Sequence, residues 1–161
     1  ALTEKLAAKC AELKEKGVEP CLAIMRVGER PDDISYETGA MKRADKIGIR
    51  VKQFLLPADA SREQILDTIR EINADASIHG CLMFRPLPDK AVEAEACALL
   101  DPAKDADSMT TTSLAGVFAC SDQGYPPCTA EAVMEILAHY QIPLEGKRVA
   151  GMPKKHSNIP F

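Results

Sequence analysis

Three short stretches of the chain hold the side chains best suited to chemistry. In VGERPDD (27–33) a turn-forming segment ends in carboxylates, and Tyr36 follows one turn into the next helix. Its ring can stack on a flat ligand or donate a hydrogen bond. In FRPLP (84–88) two prolines fix the backbone just past an apolar run, making a rigid pocket wall of Phe84, Pro86, Leu87 and Pro88. In DPAKDAD (101–107) three carboxylates surround Lys104, but the Gly and terminal Glu of a calcium loop are missing, so no metal site is expected. Each stretch also has a plain structural explanation: a partly buried helix Tyr, a strand terminator and a solvated loop. Beside Tyr36 the helix reads SYETGAMKRADKIGI (35–49), and the position one turn on, where a basic group would share its face, is Ala40.

The elements that must position these residues follow from hydropathy periods and caps. Residues 2–16 read as an amphipathic helix, with Thr3 as N-cap, Leu6, Ala7, Cys10 and Leu13 on one face and Gly17 as stop. CLAIMRV (21–27) is a continuous apolar run, as a buried parallel strand would be. Ile34 to Lys46 is helical, with Ile34, Met41, Ala44 and Ile47 as its apolar face and Gly48 ending it. Ile49–Leu56 reads as a second strand, and Ser61 with Gln64 as a capping box opening a helix to about Asn73. Gly80–Phe84 is a third strand, Ala91–Leu100 a helix, Ala130–His139 a helix capped by Thr129, and Lys147–Gly151 a last strand. Strands separated by helices imply an α/β fold, a parallel sheet flanked by helices. Ligands in such sheets sit at the carboxyl ends of strands, which is where the three stretches fall.

Composition bounds the rest. A chain of 161 residues suits one domain or one domain and part of a second, and 46% hydrophobic content is enough for a core. With 4% aromatic content and no Trp, that core is aliphatic. A net charge of −4 argues against nucleic acid as a partner. The six cysteines contain no C-x-x-C pair, which points to reduced thiols and a cytoplasmic setting. No apolar run suits a secretory leader or a membrane span.

The order and spacing of the motifs say more than any one of them. VGERP (27–31), Tyr36, Gly48-Ile49, GCLMFRPLP (80–88), DPAKDAD (101–107) and PPCT (126–129) together resemble the bifunctional methylenetetrahydrofolate dehydrogenase/methenyltetrahydrofolate cyclohydrolase (FolD) family. The resemblance runs from about residue 5 to 150. It implies a folate-binding catalytic domain over 1–125 and, over 126–161, the start of a Rossmann-type domain for NAD or NADP, incomplete in this chain. It also implies a tetrahydrofolate derivative as ligand and a homodimer as the working form.

Carried over position by position, the family pattern is only partly kept. The Tyr that stacks on folate corresponds to Tyr36 and the Asp that holds the pterin to Asp107; both are expected as catalytic and substrate-binding residues. Phe84, Pro86, Leu87 and Pro88 complete the expected substrate wall. The Lys that serves the cyclohydrolase proton transfers corresponds to Ala40, the Gln that supports it to Phe84, and the Gly after the pterin Asp to Ser108. Lys42 lies about 200° around the helix from Ala40 and does not replace that Lys. GMP (151–153) is similar to the tail of the nucleotide phosphate loop, so Gly151 and Pro153 are the expected cofactor-binding residues. The expected activity is oxidation of 5,10-methylenetetrahydrofolate to the methenyl form without the hydrolysis step. The alternatives are a bifunctional enzyme using another proton-transfer group, or a silent pterin-binding or interaction protein.

Overall fold

The central strand decides the architecture. The structure, a computed structural model, describes residues 2–148. Strand β1 (Cys21–Val27) pairs in parallel with β2 (Arg50–Leu56) on one side and β3 (Gly80–Met83) on the other, giving the order β2-β1-β3. Both pairings are parallel because a helix returns the chain each time: α2 (Pro31–Ile47) before β2, and α3 (Arg62–Ala74) before β3. Helix α1 (Leu2–Glu15) precedes the sheet and α4 (Lys90–Leu99) follows it.

Alternation along β1 assigns the two faces. Ala23, Met25 and Val27 join a cluster with Ile65, Leu66, Ile69 and Ile72 of α3 and with Val92 and Ala96 of α4. This core is aliphatic, as the composition requires. Burial, with Asp105 nearby, pushes the Cys81 thiol within it up to about 12, so that thiol stays protonated and inert. Ile24 and Arg26 point the other way, toward α2.

The capping box at Ser61 forms as its sequence implies: Ser61 Oγ accepts from Gln64 N at 3.2 Å and Gln64 Oε1 from Ser61 N at 2.8 Å. Gly48 ends α2 with φ 81°, a left-handed turn that favours Gly. Other expectations need correction. Helix α1 starts at Leu2 and α6 (Cys128–His139) at Cys128, so Thr3 and Thr129 lie inside their first turns instead of capping them. Leu6 is exposed, and Cys10 alone of the α1 face is fully buried. Helix α2 begins at Pro31, whose fixed φ suits a first helical turn, and not at Ile34. Ile34 and Met41 are exposed; the buried residues of α2 are Glu37 and Ala44. β3 closes at Met83, leaving Phe84 just beyond it.

One helix has no counterpart in the sequence reading. Helix α5 (Thr111–Ala119) buries Ser113 and Gly116 and leaves Leu114, Val117 and Phe118 exposed. This inverted pattern defeats a search for an apolar stripe. Close approach replaces hydrophobic packing here: a Cβ on Gly116 would sit 2.0 Å from the Gln123 carbonyl oxygen.

The 101–107 segment is not a solvated loop either. Lys104 Nζ donates to the carbonyls of Ile72, Asn73 and Asp75 at 2.7, 2.8 and 2.8 Å, closing the C-terminal end of α3. Asp105 is fully buried, bridges to Cys81 beside the sheet and accepts from Met109 N at 2.8 Å and Thr110 N at 2.7 Å. Burial alone would raise its pKa; those hydrogen bonds outweigh burial and hold it below the ordinary carboxylate value.

The chain divides into a unit Ala1–Cys128, which contains the sheet, and a unit Thr129–Phe161. In the second unit α6 leaves Val133, Met134 and Ile136 exposed. Residues 147–148 are not in a strand, and the rest of the expected strand Lys147–Gly151 lies outside the described residues. No helix among the described residues is long and apolar enough to cross a membrane.

Candidate functional site

The carboxyl ends of β1 and β3 open into a cavity of about 400 Å³. Tyr36 from α2, Phe84 after β3 and Asp107 from the 101–107 segment all line it, so three elements bring together residues far apart in the chain. Tyr36 is 64% exposed and meets Phe84 edge to face, with ring centroids 5.5 Å apart and planes at 81°. Phe84 is buried beneath it. One aromatic face is thereby left open to a planar ligand. Asp107 is half-buried, and its Oδ1 accepts from Cys128 N at 3.3 Å.

Pro86, Leu87 and Pro88 line a neighbouring cavity of about 340 Å³ with Gly28, Glu29 and Ala58. Arg30 borders both cavities, but the prolines do not share one wall with Tyr36 and Asp107. Leu87 is buried, and its N–H donates to Glu93 at the start of α4 at 2.6 Å, which anchors the loop to that helix. The Arg85–Pro86 peptide is cis. Ala40 lies half-buried on the inward side of α2, while Lys42 is exposed. Gly151 and Pro153 lie outside the described residues.

The motif reading named the carboxylates of VGERPDD but not the arginines that join them on the rim. Arg30 donates from Nε and Nη2 to both oxygens of Asp33, each at 2.8 Å, and from Nη2 to the Arg85 carbonyl at 3.3 Å. The Arg30 hydrogen bonds hold the Asp33 carboxyl below its ordinary pKa, so this pair stays ionised at neutral pH. Arg85 and Asp32 complete the polar lining. No Lys or His lines the cavity, so the side chains that most often exchange protons near neutrality are missing from it among the described residues.

A second group passed over in the sequence is Glu37, next to Tyr36. It is 4% exposed and takes hydrogen bonds from Arg26 Nε at 2.8 Å and from Gln53 Nε2. A hydropathy period discards an acidic residue. The only available signal was an Arg inside an otherwise apolar strand, which demands a buried anion.

Ser108 adjoins Asp107 where the family pattern has Gly. Its φ is 55°, and its buried Oγ has no hydrogen-bond partner among the described residues. Left-handed backbone and an orphan hydroxyl each cost about 1 kcal/mol or more, against the lesser entropic cost of Gly. Ser108→Gly is therefore expected to raise stability by about 1 kcal/mol. The check is a higher urea midpoint at unchanged slope, and a lower midpoint would contradict it.

Known proteins resemble this chain in sequence and in fold. The family model for the tetrahydrofolate dehydrogenase/cyclohydrolase catalytic domain matches residues 1–107. A bifunctional protein FolD from Carboxydothermus hydrogenoformans is 49% identical over 148 residues, covering 92% of this chain and 52% of the relative. The solved structure of the bifunctional FolD enzyme from Campylobacter jejuni superposes with a TM-score of 0.82 at 31% identity, over 87% of this chain and 50% of that one. A Trypanosoma brucei methylenetetrahydrofolate dehydrogenase-cyclohydrolase, solved with NADP cofactor and an inhibitor, gives 0.80 at 27% identity, over 87% and 48%. The chain spans about half the length of the curated relatives it matches.

Proposed function

The chain belongs to the tetrahydrofolate dehydrogenase/cyclohydrolase family, and from that membership we propose that it is the folate-binding part of a methylenetetrahydrofolate dehydrogenase lacking the hydrolytic step. The observation that carries this reading is a single cavity holding an open Tyr36 face and the Asp107 carboxylate, with Ala40 one turn beyond the Tyr. In this reading Tyr36 stacks on the folate, with Phe84 as the floor that holds its ring on edge. Asp107 accepts hydrogen bonds from the N–H groups of the pterin and fixes its orientation. Pro86, Leu87 and Pro88 form the stiff loop beside the site. When bound, NAD or NADP supplies the hydride acceptor; NADP is the cofactor in the Trypanosoma structure.

Oxidation of the methylene group needs two ring systems held in register, which is a matter of positioning. Hydrolysis of the methenyl group also needs a proton carrier, and Ala40 can neither give nor take a proton. The two activities therefore separate at this site. The residues proposed for the nucleotide, Gly151 and Pro153, belong to the proposed second domain, 126–161. We place the protein in the cytoplasm as a homodimer, with the exposed Ile34, Met41 and Leu55 of the first unit as apolar surface a second copy can cover.

The test is paired, on the full-length protein: NAD(P)-dependent oxidation of 5,10-methylenetetrahydrofolate, and hydrolysis of 5,10-methenyltetrahydrofolate above its spontaneous rate. Oxidation alone is the expected result. Hydrolysis well above background would mean that another group does the work of the missing Lys and that the chain is bifunctional, as its relatives are named. Neither activity would leave a folate-binding protein without turnover.

A further inference from the structure

The placement of Tyr36 raises a question that the cavity does not answer. Its side chain is 64% exposed and has one ring contact, so packing around the ring does not fix its position. The ring must inherit its place from α2. That helix packs beside α1 and against β2, and of its inward residues Glu37, Ala40, Ala44 and Ile47 only Glu37 and Ala44 are fully buried. Two of the four are alanines, which offer little to grip. In the half of α2 that carries Tyr36, the deep contact is a carboxylate.

The two oxygens of that carboxylate go to different strands. Arg26 of β1 donates to Oε2 at 2.8 Å, and Gln53 of β2 donates to Oε1. Strand register explains the convergence: Ile24 pairs with Gln53, and Arg26 lies two residues along β1 on the same face. Arg26 is itself held, because Nη1 donates to the Gly28 carbonyl in the loop that leaves β1 for the cavity. Apolar side chains can slide across a sheet. A charged clamp with two directional arms cannot, and successive helical residues are offset by about 100°, so fixing Glu37 also fixes the direction in which Tyr36 leaves the helix.

We propose that Glu37, held by Arg26 and Gln53, is the positioning residue for Tyr36 and so sets how tightly the site grips its folate. The proposal rests on the folate reading given above. An ion pair kept only for stability would be replaceable by apolar side chains of similar volume without loss, which separates the two roles.

The experiment compares wild type, Arg26→Met/Glu37→Leu, Tyr36→Ala and the triple variant in the full-length enzyme. The readouts are melting temperature, kcat and the folate KM, with the methylene compound as substrate. The apolar pair is expected to keep the wild-type melting temperature or exceed it while raising the folate KM about tenfold, with kcat changed much less and the nucleotide KM unmoved. In the Tyr36→Ala background it should add less than about twofold, because the residue it acts through is gone. An unchanged folate KM in the apolar pair, or an equal rise in both backgrounds, overturns the proposal. A folate KM that Tyr36→Ala leaves untouched removes the stacking reading instead, and the clamp's role with it. Should the apolar pair fail to fold, Gln53→Leu removes one arm and keeps the ion pair. It should raise the folate KM in the same direction by less, and no rise would overturn the clamp.

Discussion

The double substitution Ala40→Lys/Phe84→Gln is expected to raise 5,10-methenyltetrahydrofolate hydrolysis by about 10²–10⁴-fold over wild type, the usual worth of a placed acid–base group. Ala40 is one turn beyond Tyr36 on the same helix, and Phe84 stands 5.5 Å from the Tyr36 ring on the cavity floor. The two changes must go together. With Ala40→Lys alone, the new ammonium would lack the hydrogen-bond partner that Phe84→Gln supplies, because a Phe ring has no acceptor atom. Phe84→Gln alone would give up the edge-to-face contact, about 0.5–1.5 kcal/mol, with nothing to orient in return. The measurement is hydrolysis of the methenyl compound, followed beside its spontaneous rate for both single variants and the double. A folded double variant no faster than wild type would show that more than this pair governs hydrolysis at this site.

Glu37→Ala carries the largest stability effect. It leaves the Arg26 guanidinium, 7% exposed, without its carboxylate, and removing one member of a buried pair costs about 3–5 kcal/mol. Against a typical total of about 5–15 kcal/mol, such a loss is a large fraction of the protein's stability. Much of that cost is the stranded charge and not the lost bond. Adding Arg26→Met to Glu37→Ala should therefore restore most of the stability, although the second change also removes the hydrogen bond to the Gly28 carbonyl. Denaturant titration of the two variants checks this. A double variant no more stable than Glu37→Ala would mean that the cost lies in the vacated space and not in the charge.

The exposed pair Arg62–Glu95 makes a useful contrast. Both side chains are about half open to water, so screening and side-chain entropy leave such a contact little net worth. The Arg26–Glu37 pair differs because it has been taken out of water.

Several parts of the molecule could be read from the sequence because they depend on near neighbours in the chain. The apolar run of β1, the capping box at Ser61 and the left-handed stop at Gly48 are local, and the structure has all three. The parallel sheet followed from strands alternating with helices. The motif order identified the family, and Tyr36, Phe84 and Asp107 do share a cavity. Tertiary structure alone decided the rest. Helix α5 packs by the close approach of Gly116 and Ser113 to a loop, so it leaves no hydropathy period to find. Lys104 and Asp105 looked like solvent-facing charge, yet they close a helix end and bridge to the sheet, because their partners lie far away in sequence. The buried face of α2 turned out to centre on a glutamate, since only the fold brings Arg26 and Gln53 from two strands to meet it. Sequence patterns record what each segment wants from water; which charges can leave water together is settled only when the strands and helix that carry them are assembled.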